Sequence, residues 1–306
     1  FELPSHSCTS ANPLLKISVV LTRDLFSSRT PTLTAPSVLR RGFISGLRPV
    51  CCMDRVNPFR TIPEETGHLV GTRCLTFSHS MIEAYGELGL EFVWLDYEHM
   101  GKSPYDSEAL EQFVRTAEVS DVELLVRVPR SDPSLIRKVL DTGVRNILVP
   151  RVRSPTEVRQ IIEASKFTYN GEPGKRGMSS GRARKWGLSS SRAAYAKQED
   201  QTVCVGVIVE TEAAINQIEE IVSTPELGFV FVGPGDLSVQ LGVLGDPDSE
   251  VVDAWETKVR DMCQQHGVPI GCTVGSPEAV KQKREEGYQI IRIGDEIRAV
   301  ERFFEN

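Results

Sequence analysis

Residues 202–242 read TVCVGVIVETEAAINQIEEIVSTPELGFVFVGPGDLSVQLG. Two apolar runs, TVCVGVIVE (202–210) and GFVFVGPGDL (228–237), flank the amphipathic stretch TEAAINQIEEI. Near-continuous apolar runs of this length suit strands covered on both faces. The same alternation recurs on either side. VGTRCLTF (70–77), EFVWLDYE (91–98), ELLVRVP (123–129) and NILVPRV (146–152) precede it, and PIGCTVG (269–275) and QIIRIGDE (289–296) follow. Between the runs lie helical patterns such as SDPSLIRKVLDTG (131–143), SPTEVRQIIEAS (154–165) and SPEAVKQKREEG (276–287). Each opens with Ser or Asp beside a Pro, and two close on Gly, the usual order of N-cap, first-turn Pro and C-terminal Gly.

Eight strands alternating with helices predict an α/β chain folded as a parallel (β/α)8 TIM barrel. A doubly wound open sheet is the structural rival, but no GxGxxG follows an early strand to favour its dinucleotide-binding form. The segment 166–200, which contains GKRGMSSGRARKWG, reads as one long irregular connection, functional or mobile by its length.

The chain has 306 residues and a formal charge of −7, unevenly spread. Residues 1–52 hold six basic and two acidic side chains, net +4; residues 53–306 hold 29 basic and 40 acidic ones, net −11. The division predicts an appended basic segment, 1–52, on an acidic barrel domain, 53–306. An acidic body argues against general nucleic-acid binding, which relies on neutralising phosphates. The first segment is rich in Ser, Thr, Arg and Pro, and reads either as a leader without function or as an organellar transit peptide. Met53, opening MDRVNPFR, is a candidate initiator. No stretch approaches 18 consecutive apolar residues, so no membrane partner is expected. Seven cysteines without a CxxC pair suggest reduced, buried thiols and a cytoplasmic protein, or an organellar one if residues 1–52 are a targeting signal.

In a barrel, chemistry sits where strands end and helices begin. There the sequence places Asp96-Tyr97-Glu98-His99, Arg127, Glu210, Asp236 and Gly294-Asp295-Glu296. Glu210 and Asp236 close two successive strands, so their carboxylates are placed to converge on one Mg²⁺ or Mn²⁺, with Co²⁺ a further candidate. The plainer alternative is that each caps the helix that follows. His99 reads as a general base or as a structural histidine, whereas His6, His68, His79 and His266 lack a comparable setting. An arginine within a buried strand, as Arg127 is, needs an anion: a substrate group or a structural partner. Asp141, by itself, is an ordinary helix C-terminal residue that opposes the helix dipole. GPGD (233–236) is either a turn or a carboxylate-binding helix start through Gly235 and Asp236. The cations Lys175, Arg176, Arg182, Arg184 and Lys185 are either solvated or a basic lid over an anionic substrate.

With LDYEHM (95–100), VRVPRSDPSLIRKVLDTGVRNILVP (126–150), RGMSSGRARKWG (176–187), VETEAAINQIEEI (209–221) and GFVFVGPGDLSVQLG (228–242), residues 70–300 resemble the HpcH/HpaI aldolase family. The resemblance implies a barrel of the phosphoenolpyruvate/pyruvate-binding type and a metal-dependent class II aldolase that forms pyruvate and an aldehyde from a 4-hydroxy-2-oxo acid. Carried over by motif, Glu210 and Asp236 are metal ligands and His99 is the base. Asp141 pairs with His99, Arg127 stabilises the enolate, and the Gly235 and Asp236 backbone holds the pyruvate carboxylate. A homo-oligomer, a hexamer in the family, is implied as well. Tyr97 stands where the family has Gly and Ile208 where it has Gln, a bulk near the pocket and one polar contact fewer. These departures leave two other readings: a citrate-lyase-like acyl-CoA lyase and a noncatalytic barrel that binds a 2-oxo acid.

Overall fold

All eight apolar runs form strands. The computed structural model describes residues 56–62, 67–188, 191–247 and 249–305. The expected leader, 1–52, therefore lies outside the described residues. In chain order the elements are β1 (Leu69–Arg73), α1 (His79–Glu87), β2 (Phe92–Asp96), α2 (Ser107–Val119), β3 (Glu123–Arg127), α3 (Pro133–Asp141), β4 (Asn146–Val149) and α4 (Pro155–Ser165). A hairpin, β5 (Thr168–Tyr169) and β6 (Glu172–Pro173), leads through a 3₁₀ turn at Arg182–Gly187 to α5 (Arg192–Thr202) and β7 (Cys204–Val209). Then come α6 (Glu212–Asn216), α7 (Ile218–Val222), β8 (Phe229–Val232), α8 (Pro234–Gln240), α9 (Glu250–His266), β9 (Ile270–Val274), α10 (Pro277–Glu285), β10 (Ile290–Asp295) and α11 (Glu296–Glu305). Strands β1, β2, β3, β4, β7, β8, β9 and β10 close a barrel in that order, every pair parallel.

The helix starts follow the predicted chemistry. Ser154, Ser191, Thr211 and Ser276 each accept a hydrogen bond from a first-turn N–H, and Asp132 accepts two. Pro opens α3, α4, α8 and α10, where its missing N–H costs nothing.

Side chains alternate between the barrel interior and the helix layer. Inside, Leu69, Phe92, Trp94, Leu125, Leu148, Ile208, Phe229, Phe231 and Ile290 make one core. Outward-facing residues such as Val93, Val126, Val207 and Val230 join the helices in a second. Gly206 makes room for its neighbour: a Cβ there would lie 2.3 Å from the Phe229 ring. The strand N-termini are closed by residues outside the repeat. Phe59 is 1% exposed, its ring 5.3 Å from Phe92 and 5.4 Å from Phe229. Asn57 anchors it through Nδ2, which donates to Asn146 Oδ1 at 2.7 Å and Thr202 O at 2.6 Å.

The segment 166–200 differs from the expected irregular loop in form and place. It joins the end of α4 to the start of β7, so it lies at the N-terminal end of the barrel. Its cations are largely matched locally: Lys175 pairs with Glu163, Arg182 with Glu118, and Arg176 Nη2 lies 2.6 Å from Glu199. A lid over its own strand C-termini is ruled out by this connectivity, because catalytic mouths lie at the opposite end.

Candidate active site

Inward-facing residues beyond the last apolar layer form the C-terminal mouth. Asp96 ends β2 beside Arg127, which ends β3 in register with it. Asp96 is wholly buried. Its Oδ1 accepts from Arg127 Nε at 3.0 Å and from the N–H groups of Glu98 and His99 at 3.1 and 3.3 Å. Its Oδ2 accepts from Arg127 Nη2 at 2.5 Å and lies 3.5 Å from Arg73 Nη1. Burial alone would raise its pKa, but the hydrogen bonds and charge of Arg127 outweigh it and hold the carboxyl below its ordinary value. Arg127 also brings Nη1 to 3.0 Å from Glu98 Oε2 and lies over the Trp94 ring, 5.3 Å from its centroid. The guanidinium is thus fixed by two acids and an aromatic face.

Glu210 follows β7 and is 2% exposed. It does not cap α6, whose N-cap is Thr211. Its Oε1 accepts the Arg151 N–H at 2.8 Å. Its Oε2 occupies the space above Gly233, where a Cβ would approach within 2.5 Å. Asp236, in the first turn of α8, makes no capping hydrogen bond and lies 3.7 Å from Arg151 Nη1. Burial, then the Asp236 charge and, more weakly, Glu98, push the Glu210 pKa up to about 7. Burial likewise raises Glu98, against the opposing pull of Arg127.

Carboxylates crowded in this way call for a cation. Glu210 and Asp236 offer hard oxygen ligands suited to a divalent ion that keeps several waters. Among the described residues no set of three or more His, Cys, Asp or Glu side chains is gathered for a metal. A cation here would rest on a carboxylate pair and on oxygens from outside the protein.

His99 stands at the rim, its side chain 55% exposed and Nε2 3.6 Å from Glu98 Oε2. Gly235 lies in the first turn of α8, with open space around it. Asp141 is elsewhere. It is the last residue of α3, and α3 returns to the N-terminal end before β4 starts. There it is hydrogen-bonded to Ser179 and feels the charge of Arg176, although burial dominates and raises its pKa. The expected His99–Asp141 pair is therefore not formed within one chain: a helix that follows a barrel strand ends at the opposite mouth.

The two departures from the family pattern also find their places. Tyr97 points into the outer core, edge-on to Phe77 at 5.0 Å, and does not narrow the mouth. Ile208 belongs to the inner core directly below Glu210. Two mouth residues were not singled out from the sequence, Arg73 and Arg292. The signal was available in strand parity, since Arg73 is an even number of residues from Leu69 and Arg292 is two from Ile290, both in the inner core.

The HpcH/HpaI aldolase/citrate lyase family profile matches residues 74–301. The 2-dehydro-3,6-dideoxy-6-sulfogluconate aldolase of Pseudomonas putida is 29% identical over 74% of this chain and 86% of its own length. The hydroxypyruvate/pyruvate aldolase of Sagittula stellata is 32% identical over 71% and 82%. The crystal structure of a HpcH/HpaI aldolase/citrate lyase family protein from Burkholderia cenocepacia J2315 superposes with a TM-score of 0.73, at 29% identity, over 81% of this chain and 95% of that one. Barrel, strand-end acids and matched span agree, and this chain belongs to the HpcH/HpaI aldolase/citrate lyase family.

Proposed function

We propose that the chain is a class II aldolase that cleaves a 4-hydroxy-2-oxo acid to pyruvate and an aldehyde. The observation that carries this reading is the convergence of Glu210, Asp236 and the pinned Arg127 on one mouth. It is supported by aldolase relatives matched over most of their length.

Glu210 and Asp236 would hold a divalent cation, Mg²⁺ or Mn²⁺ or Co²⁺, which would supply Lewis-acid polarisation of the 2-oxo group. The protein's own groups do the rest. N–H groups of Gly235 and Asp236, in the first turn of α8, receive the substrate carboxylate. His99, directly or through one water, takes the proton from the 4-hydroxyl. The C3–C4 bond then breaks, its electrons pass to the 2-oxo end, and the aldehyde leaves. Arg127 stabilises the resulting enolate oxygen and needs no reorganisation, because Asp96 and Glu98 already hold it. Protonation at C3 gives pyruvate.

The site is completed in a homo-oligomer. Asp141 reaches a His99 only on another copy, and α11 exposes Ile297, Val300, Phe303 and Phe304 for burial in an assembly, the hexamer of the family resemblance.

The test is a pyruvate-release screen over several 4-hydroxy-2-oxo acids, with Glu210→Ala as control. Activity is expected to vanish on chelation and return with Mg²⁺ or Mn²⁺. Full activity after rigorous chelation would overturn the mechanism.

A further inference from the structure

Four guanidinium groups face the mouth, and three have carboxylate partners: Arg151 lies 3.7 Å from Asp236. Arg127 has Asp96 and Glu98. Arg73 has Asp295, at 2.9 Å, and Asp96. Arg292 has no ion pair among the described residues. It rises from β10 in register with Gly71 on one side and Thr273 on the other. Its Nε donates to Thr273 Oγ1 at 3.0 Å, and its Cζ lies 5.1 Å from the centroid of the Trp94 ring. Trp94 thus has one arginine fixed by acids and another without one. Burial, followed by repulsion from Arg73 and Arg127, pushes the Arg292 pKa down to about 9. Asp295 and Asp96 attract Arg292 only from beyond ion-pair range, each being held by other arginines, and a half-buried cation without a carboxylate in contact marks a place where an anion is expected from outside.

Its position tells which part of a substrate it meets. Glu210 and Asp236 follow β7 and β8, where the pyruvyl end is placed. Arg292 stands on β10, with Thr273 on β9 between it and that site. A chain that extends beyond the broken bond along this wall meets Thr273 and then Arg292. The Thr273 side chain is exposed and keeps its own hydroxyl hydrogen for donation. A planar guanidinium beside a hydroxyl suits a carboxylate, sulfonate or phosphate.

We infer that Arg292 and Thr273 form an anion subsite for the aldehyde half, so that the released aldehyde carries a negatively charged terminus. This rests on the aldolase reading for the name of the ligand, but not for the existence of the subsite.

Two measurements separate them. The first is calorimetric binding of 2,3-dihydroxypropane-1-sulfonate, glycerol 3-phosphate and glycerate, with glycerol as the neutral probe. It is run on metal-free and Mg²⁺-loaded protein. At least one anion should bind, glycerol should not, and the ranking identifies the terminal group. Arg292→Met should weaken binding at least tenfold, Arg292→Lys less, and Thr273→Val should also weaken it. In the second, aldol addition to pyruvate, Arg292→Met should raise KM for the charged acceptor at least tenfold relative to glycolaldehyde. Equal binding of glycerol and the anions, or affinities unchanged in a folded Arg292→Met protein, would overturn the subsite. Absence of solvent deuterium exchange at the pyruvate methyl of the Mg²⁺-loaded wild type would overturn the aldolase reading instead, and calorimetry would still decide the subsite.

Discussion

Replacing Asp96 with Asn tests whether the Asp96–Arg127 pair organises the mouth. The carboxylate has no solvent exposure and accepts two hydrogen bonds from Arg127, at 3.0 and 2.5 Å. Removing one partner of a buried pair leaves the other charge uncompensated, at a cost of about 3–5 kcal/mol. Glu98 retains some hold on Arg127, so the lower end, about 3 kcal/mol, is expected. That corresponds to a fall of roughly 6–12 °C in Tm, at about 2–4 °C per kcal/mol for 150–250 residues. Arg127→Met should cost a similar amount, because the only ion pair Asp96 would retain is with Arg73, at 3.5 Å, beside the N–H groups of Glu98 and His99. The double variant should cost less than the sum by at least about 1.5 kcal/mol, since neither charge is then stranded. The assay is urea denaturation in EDTA at one protein concentration, so that metal and assembly do not enter differently. The sign of the pH dependence follows from linkage. The folded Asp96 pKa lies below the ordinary 3.8, so its contribution is complete above 3.8 and is lost as pH falls through the folded value. The gap between wild type and Asp96→Asn should therefore close only in that acid window. Additivity within about 0.5 kcal/mol, or a gap that closes near neutral pH, would refute the reasoning.

Glu210→Gln should retain the fold by circular dichroism yet lower kcat at least about 100-fold, because Lewis-acid stabilisation is worth several kcal/mol; the same rate at every Mg²⁺ concentration as wild type would contradict the ligand assignment. His99→Ala and Asp141→Asn should each be impaired about 100-fold or more, as for loss of general-base function. Co-assembled one to one, they should recover about a quarter of wild-type activity, because random association places an intact His99 against an intact Asp141 at that fraction of symmetric sites. Mixtures no more active than the separate variants would exclude pairing across copies. Phe59→Ala should destabilise by about 3–5 kcal/mol in the same urea assay, as for a buried ring in a core, and a loss below about 1 kcal/mol would mean that residues 56–62 merely rest against the barrel.

The barrel was legible because two independent local signals agree. Buried parallel strands produce continuous apolar runs, and Ser-Pro or Asp-Pro starts fix the helices between them. Strand-end position likewise picked out Glu210, Asp236 and Arg127. What pairs with what was less legible, because it depends on register between strands. Asp96 and Arg127 are 31 residues apart, and only the stagger that sets β2 against β3 makes them neighbours. Arg292 was hidden for another reason. In QIIRIGDE it has Ile on both sides, so the apolar strand signal dominates that part of the run. Its parity assigns it to the interior, because Ile290 two residues earlier is a core residue and side chains of like parity share a face. Asp141 is the opposite case, in which topology alone sufficed. Any residue at the C-terminus of a helix that precedes a barrel strand lies at the strand N-termini, whereas a residue just past a strand lies at the other mouth. His99 and Asp141 belong to different ends by that rule, so a motif that joins them constrains the assembly as well as the site. The same argument applies to the neighbouring 176–187 segment: its basic side chains can serve an active site only if that site belongs to another copy.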